Sequence, residues 1–544
     1  MPFNIADLFE HAADAVPERE ALVVSGTRRT YAELEARANR FAHWLSGQGI
    51  SIGDHVGIYG LNSEPWVVAM LAAFKLRAVP VNVNFRYVAD ELQYLFDNAD
   101  LVALVHDRDF APRVSEVIDK VSGLDTLVVV EDGSGRDLGD LPSVPFEDAI
   151  AEGSPERDFG ERSPDDHYML YTGGTTGMPK GVIWRQEDVY YALGGGIEAY
   201  TGTRVVDEYE PSAKAAESEA PMITLCTPPL MHGAAQWGTL RFFFEGNTVV
   251  FMPKFDPEDV WQTIQDEHVQ TMFITGDAMA RPLHEALEAN PEDRWDLSSL
   301  FVLSSSAVSF SQNLKQRFLD RFPNLILVDA IGSTETGHNG QAIVQPGAAH
   351  KEGIGVSVAG LEGTYVLGDD LTPLLAGSEI VGRLARSGNI PLAYHKDPKK
   401  TAATFVTGPD GTRYAMPGDW ARHEADGTIT LLGRGSACIN SGGEKIFPEE
   451  VEGAVKDHPA IFDTIVVGIA DERWGETVCA VVQLRPGAAA PTLTELAEHC
   501  RTQIAGYKIP RKVVVVAEVV RSPSGKPDYP WANKIAESLQ GVPA

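Results

Sequence analysis

Cysteine is scarce in this sequence. Its 544 residues include four, Cys226, Cys438, Cys479 and Cys500. None forms a CxxC pair or a zinc-ligand spacing. That argues against a disulfide framework or a structural zinc, and for a reducing, cytoplasmic compartment. Long apolar runs are missing as well. The stretch Trp66–Phe74 is too short to span a bilayer. The opening MPFNIADLFEHAADAVPERE carries acids where a secretory signal carries lysines and an apolar run. No stable membrane insertion is expected. Positive charge is in deficit, with 45 Lys and Arg against 77 Asp and Glu, a net charge of -32. A chain this acidic repels a phosphate backbone, which disfavours nucleic acid and anionic membranes as partners. If the ligand is a polyanion, a local basic site must overcome the global field.

What is present reads as a globular enzyme. Hydrophobic residues make up 44% and charged residues 22%, ordinary values for that class, and the length implies two or more domains. Residues 33–49 have helical spacing, HVGIYG follows as a strand, WVVAMLAAFKLRAV as a helix and PVNVNF as a strand. LVALVHD, TLVVVED, NTVVFM, TMFITG, SLFVLSSS and LILVDAIGSTE continue the strands. Helices alternating with short apolar strands imply an α/β domain with a largely parallel sheet, whose ligands gather at the polar loops after the strands. Residues 203–221 are polar and acidic, and read either as a mobile surface insertion or as a flap over a ligand pocket. After GTITLLGRGSACINSGGEK the pattern becomes a compact α+β unit of roughly 110 residues, ending in RSPSGKPDY.

Residues 171–181 read YTGGTTGMPKG. With little apolar content and four glycines, the stretch cannot serve as core and reads as a loop. It fails the Walker pattern, because Pro179 stands where the second glycine should and Gly181 where a hydroxyl should. It contains no GxGxxG. A GxSxG string at residues 49–53 follows a helix rather than a strand, so it is a chance match to a nucleophile elbow. The physics of an anion nest remains: glycines let N–H groups converge, hydroxyls add donors, and a lysine adds charge. Further along, DAIGSTETG places a carboxylate, Glu335, after two hydroxyls, where it can hold Mg2+. PGDW places Asp419 in a turn, where it can accept two ribose hydroxyls, and Arg434 lies just beyond.

Together and in this order, these motifs resemble those of the adenylate-forming superfamily of acyl-CoA synthetases, nonribosomal-peptide adenylation domains and luciferases. The resemblance covers the chain essentially from end to end. NVNFRYVADELQYLFDNAD, FITGDAMARPL and SPSGKPDY make it most similar to bacterial acyl-CoA synthetases of fatty-acid and steroid side-chain catabolism. It implies an α/β fold: a large N-terminal domain (1–433) of two α/β sheets plus a small β-barrel, and a small mobile α+β C-terminal domain (434–544). The implied reaction joins a carboxylic acid to AMP, releasing pyrophosphate, and then transfers the acyl group to coenzyme A. ATP, Mg2+, CoA and a bulky or long apolar acid are the implied ligands. The alternative is adenylation alone, with acyl-AMP handed to another protein. A homodimer is the default assembly.

The resemblance also assigns roles. Thr172, Thr175, Thr176 and Lys180 would cradle the β- and γ-phosphates, Thr334 would contact the α-phosphate, and Glu335 would ligate Mg2+. Asp419 would hold the ribose, helped by Arg434. Lys526 would bridge the attacking carboxylate and the α-phosphate. His232 matches a histidine at the mouth of the acyl pocket, which Met231, Ala234, Gln236 and Trp237 could line or could leave as plain core. Rotation of the C-terminal domain about a hinge at Gly433–Ser436 would bring Trp474, Gly442 and Gly443 to the CoA arm. Departures from the family pattern are Ile331 in place of an aromatic at the adenine face, Ser436 at the hinge, Gly173 in place of serine, and Pro417 in place of threonine.

Overall fold

The computed structural model describes residues 3–174, 177–192, 195–197, 203–306, 310–345, 356–434, 437–441, 444–471, 475–522 and 525–538. Two large sheets make up the N-terminal part. One is eight-stranded, in the order Ala393–Tyr394, Gly177–Arg185, His167–Gly174, Val79–Asn82, His55–Tyr59, Leu101–Asp107, Thr126–Val130 and Val144–Pro145. Its interior from Val79–Asn82 to Thr126–Val130 is parallel, as the alternating sequence pattern implies. The other sheet begins with Thr27–Thr30, antiparallel to Glu20–Val24, and from Glu20–Val24 runs through Thr248–Phe251, Ile223–Cys226, Thr271–Ile274, Val302–Ser305 and Ile326–Ser333 in parallel. From Ile326–Ser333 it turns antiparallel and continues through Gly337–Val344, Val356–Gly360 and strands up to Arg434. Among the described residues this sheet has fifteen strands, fourteen along one hydrogen-bonded path and Thr364–Leu367 beside it, paired with Gly382–Ser387.

Helices Ile5–Ala15, Tyr31–Gly47, Glu64–Lys75 and Gly233–Phe244 fill a common core between the sheets. Glu64–Lys75 is buried on every side, which is what an all-round apolar helix requires. Its last residue, Lys75, is 1% exposed and reaches Glu10 at 2.6 Å and Glu35 at 2.8 Å. Arg162 and Arg157 bind the same two carboxylates. Burial works against ionisation of Glu10, yet these cations hold its carboxyl below the usual value.

The segment 203–221 packs against the large domain. Its helix Glu210–Glu217 buries Ser212 and Ala215, and Arg19 bridges the Gly246 and Ser218 carbonyls. That docks it by the C-terminal end of helix Gly233–Phe244, opposite the His232 end. The buried Ala215 allows this close approach, its Cβ standing 2.5 Å from where a Cβ on Gly246 would lie. Ser51 of the chance GxSxG match lies in a helix-to-strand turn, bonded to Asp54, so no nucleophile elbow exists there.

The small C-terminal domain is a sheet of Ile439–Ser441, Glu444–Ile446, Ile461–Asp471, Gly475–Leu484 and Lys512–Val516. Helices Pro448–Lys456 and Leu493–Arg501 cover one face and Tyr529–Ser538 the other. It meets the large domain through Arg485, 3.2 Å from Glu285, and through the Arg281 guanidinium, 5.7 Å over the Phe462 ring. No helix among the described residues is long and apolar enough to cross a membrane.

Candidate active site

The glycine-rich stretch is not the loop its composition implies. Strands His167–Gly174 and Gly177–Arg185 carry their antiparallel ladder almost to its tip. Backbone pairing tolerates glycine here because the pairing partner is local and the strands are continuous with the sheet. Gly181 is required by packing: a Cβ there would lie 2.7 Å from the Met169 sulfur and 2.8 Å from the Tyr171 ring. The ladder sets Thr172 directly opposite Lys180. Lys180 forms an ion pair with Asp397, and that hydrogen bond holds the Asp397 carboxyl below its usual range. Asp397 also caps helix Pro398–Thr404, accepting from the Lys400 N–H. Thr175 and Thr176 lie outside the described residues.

Thr334 and Glu335 occupy the tip between strands Ile326–Ser333 and Gly337–Val344. The tip is braced from within, since Ser333 and Thr336 hydroxyls pair at 3.0 Å and Asn339 donates to Thr336 at 2.8 Å. It is braced from outside by the buried Trp184, whose indole N–H donates to the Thr334 carbonyl at 3.0 Å. Tyr394 donates its hydroxyl to Glu335 Oε1 at 2.8 Å. Tyr394 and Asp397 belong to one short segment, 394–397, which joins the edge of the eight-stranded sheet next to Val182. Thus a single segment holds both the hairpin lysine and the hairpin-tip carboxylate.

Asn82 ties this assembly to His232. Its carboxamide accepts from the Tyr171 N–H at 2.8 Å, and donates to the Tyr171 carbonyl at 2.9 Å and the Met231 carbonyl at 2.6 Å. Asn62 accepts from Leu230 N–H at 2.7 Å, and Gln236 donates to the Leu230 carbonyl at 2.8 Å. The turn before helix Gly233–Phe244 is therefore fixed by three buried amides. Gln236 is spent on this turn and on the Tyr168 hydroxyl at 2.5 Å, so it is core rather than pocket lining. His232 as a whole is part-buried, but its Nε2 is fully enclosed and has no hydrogen-bond partner. Burial, with the positive charges of Lys526 and Arg86, pushes His232 down to about 3. It is neutral at working pH and cannot relay protons near neutrality.

Lys526 of the C-terminal domain contributes to that shift. The lysine is exposed, and its charge falls on the His232 site although the two come from different domains. Its backbone is fixed: Ser522 N–H donates to the Lys526 carbonyl at 2.8 Å, and Lys526 N–H donates to the Ser522 hydroxyl at 3.1 Å. Arg521 anchors the same turn through the Gly525 carbonyl and Asp463.

Asp419 and Arg434 are cross-strand partners, so two residues fifteen apart in sequence share one register. Gly433, with φ 127°, lies so close to the C-terminal domain that a Cβ there would come 2.3 Å from the Glu449 carboxylate. Ile331 is 6% exposed and packs with Val358, Val366, Leu384, Ala421 and Ile429, so an aliphatic side chain there is engaged in the core. Ser436, Gly442, Gly443 and Trp474 lie outside the described residues, as does the side chain of Arg434.

The model of the AMP-binding enzyme family matches residues 9–390, and that of the AMP-binding enzyme C-terminal domain matches 450–526. The chain belongs to the AMP-binding enzyme family. Among its relatives is a 3-oxocholest-4-en-26-oate–CoA ligase of Rhodococcus rhodochrous, 53% identical over 98% of this chain and 96% of that protein. The medium-chain acyl-CoA ligase Mig of Mycobacterium avium is 43% identical over 98% of each chain. The fold matches an anthranilate CoA ligase, AuaEII, crystallised with anthranoyl-AMP, at a TM-score of 0.84 and 23% identity over 99% of each chain. Within the AMP-binding family frame, sequence reasoning missed Asn82, Trp184, Tyr394 and Asp397. Only Asp397 had a local signal, an aspartate before proline at a helix start.

Proposed function

We infer that this AMP-binding enzyme is an ATP-dependent, AMP-forming acyl-CoA ligase for a bulky or long apolar acid, with a fatty acid or a steroid side-chain acid as its substrate class. The observation that carries the reading is the segment 394–397, whose Tyr394 and Asp397 hold Glu335 and Lys180 on either side of one site. Relatives above 50% identity that are ligases of a steroid acid support the substrate class.

In the first half-reaction a carboxylate attacks the α-phosphorus of ATP, so two anions must meet. Fixed positive charge and fixed geometry lower that barrier. Lys180, with Thr172, Thr175 and Thr176, holds the β- and γ-phosphates. To do so it must exchange Asp397 for phosphate, and the cap role of Asp397 keeps its carboxylate in place meanwhile. Thr334 contacts the α-phosphate, while Asp419 and Arg434 hold the ribose. Lys526 approaches the His232 end and bridges the acid and the α-phosphate. Neutral His232 stands at the acid's site without competing for a proton. Glu335 fits Mg2+: Tyr394 fixes one oxygen, and the other takes no hydrogen bond among the described residues. When bound there, Mg2+ neutralises charge on the phosphates.

For the second half, the domain from about residue 434 rotates about Gly433–Ser436, withdrawing Lys526 and bringing Trp474, Gly442 and Gly443 to CoA. The antiparallel strands from 356 to 434 serve as the small barrel beside this hinge. The enzyme acts in the cytoplasm, as a homodimer.

The test uses purified protein, ATP, Mg2+ and a panel of fatty, steroid and diterpenoid acids, with and without CoA, read by mass spectrometry. Acyl-CoA formed only when CoA is added is the expected result. Acyl-AMP accumulating despite CoA would replace this reading with adenylation alone.

A further inference from the structure

One cluster near the site has no part in the chemistry above. His55 opens the strand His55–Tyr59, Asp100 precedes the strand Leu101–Asp107, and His395 follows Tyr394. One potential ligand atom from each lies within 4.8 Å of the others. We propose that His55, Asp100 and His395 form a binding site for a divalent transition metal, Zn2+ in the first instance, that pins the segment 394–397 to the eight-stranded sheet.

Three observations carry this. The first is ligand polarity. His55 Nδ1 meets the Ala99 carbonyl at 2.5 Å, a contact that requires Nδ1 to be the protonated nitrogen and leaves the Nε2 lone pair as acceptor. This is the outer-shell arrangement that orients metal-binding imidazoles. The second is spacing. His395 Nε2 is enclosed without a well-aligned hydrogen bond, and its ion-pair partner Asp100 Oδ2 stands 3.4 Å away. Donors around one zinc at bonds of about 2.0–2.1 Å stand about 3.3 Å apart, so this pair already has metal spacing. Closing the widest gap takes roughly 1.5 Å at most. The third is backbone support. His395 N–H donates to the Gly181 carbonyl at 2.7 Å, His55 pairs with Leu101, and Asp100 holds a left-handed φ of 48°.

Two imidazoles and one carboxylate suit Zn2+ far better than Mg2+, which prefers oxygen ligands. Asp100 is 58% exposed as a side chain, so water can complete the coordination. The site contains no cysteine, and its residues are 45 and 295 positions apart, so no sequence spacing announces it. One element opposes the metal: Lys396 Nζ lies 2.6 Å from Asp100 Oδ1. The carboxylate thus divides its oxygens, Oδ1 to the lysine and Oδ2 to His395. A metal here would fix the segment between Tyr394, which holds Glu335, and Asp397, which holds Lys180.

The test needs neither ATP nor the acid, so it is independent of the proposed reaction. Chelator-stripped full-length protein is titrated with Zn2+ alone, by calorimetry, against a background of excess Mg2+. One equivalent should bind. His395→Ala and His55→Ala should weaken binding by more than the ~10–100-fold that losing an outer-shell partner costs. Asp100→Asn keeps the left-handed turn, which asparagine tolerates, and should weaken it too. Lys396→Met removes the competing cation and should tighten binding. Zn2+ should raise the melting temperature of the wild type but not of Asp100→Asn. Should a histidine variant misfold, the Asp100→Asn and Lys396→Met pair still decides. Zn2+ binding unchanged in Asp100→Asn, unimproved in Lys396→Met, or absent from the wild type would overturn the proposal.

Discussion

Asn82→Ala tests whether the phosphate hairpin and the His232 turn act as one unit. The side chain is 5% exposed and makes three hydrogen bonds, two to Tyr171 and one to Met231. Each buried bond between neutral groups contributes about 1 kcal/mol net, so the variant loses about 3 kcal/mol of stability. The Tyr171 N–H is left an orphaned donor, whereas each carbonyl keeps a second lone pair. Against a usual total of about 5–15 kcal/mol, the protein stays folded at 25 °C. Activity should fall further than stability implies. Without the clamp, Tyr171 and Met231 can separate, and a misplacement of about 1 Å costs roughly 100-fold in rate. Urea unfolding would measure the first effect. Pyrophosphate release at saturating ATP and acid would measure the second, as a drop of about 100-fold in kcat. A folded variant with wild-type kcat would refute the coupling. So would a loss that disappears on cooling to about 10 °C, since it would then be only global instability.

Other outcomes follow from the same geometry. Lys526→Ala should lower pyrophosphate release by about 100- to 1000-fold while the protein stays folded, because the side chain is exposed. Thioester formation from supplied acyl-AMP and CoA should survive, and its loss would place Lys526 elsewhere in the cycle. Lys75→Met should cost about 3–5 kcal/mol, measured by urea unfolding, because it strips Glu10 and Glu35 of their buried cation; a neutral result would mean that Arg157 and Arg162 suffice. His232 gives a pH signature. Its folded value of about 3 lies below the ordinary 6.5, so below pH 6.5 the unfolded chain takes a proton that the folded chain refuses. Stability therefore falls with pH, by about 1.4 kcal/mol per unit, until about pH 3. In His232→Phe that part of the slope should vanish, so the gap between variant and wild type shifts by about 2 kcal/mol between pH 7 and 5. An unchanged gap would mean that the imidazole charges freely in the fold.

The alternation of helix and strand was readable because each element buries a face set by its own period. Helix Glu64–Lys75 and strands Leu101–Asp107 and Thr126–Val130 fall where the apolar pattern sets them. The motif residues were readable because their chemistry is local: a lysine after glycines, a carboxylate after hydroxyls. Composition reads 171–181 as a loop and the fold makes it a hairpin, because composition reports what a backbone can do alone, not what a neighbouring strand makes it do. Composition leaves the 203–221 segment between two surface roles, because nothing local shows that Arg19 clasps it.

The sequence by itself determined the family, the α/β class and the kinds of groups that meet the ligands. Tertiary structure decided how those groups are held. Asn82 serves Tyr171, 89 positions away, and Met231, 149 away. Asp397 reaches Lys180 across 217 positions, and Tyr394 reaches Glu335 across 59. The protonation state of His232 depends on enclosure and on a lysine from another domain. Such couplings leave no mark in local spacing, because a hydrogen bond or a charge acts through a few ångströms of space, and only the fold determines which residues share them.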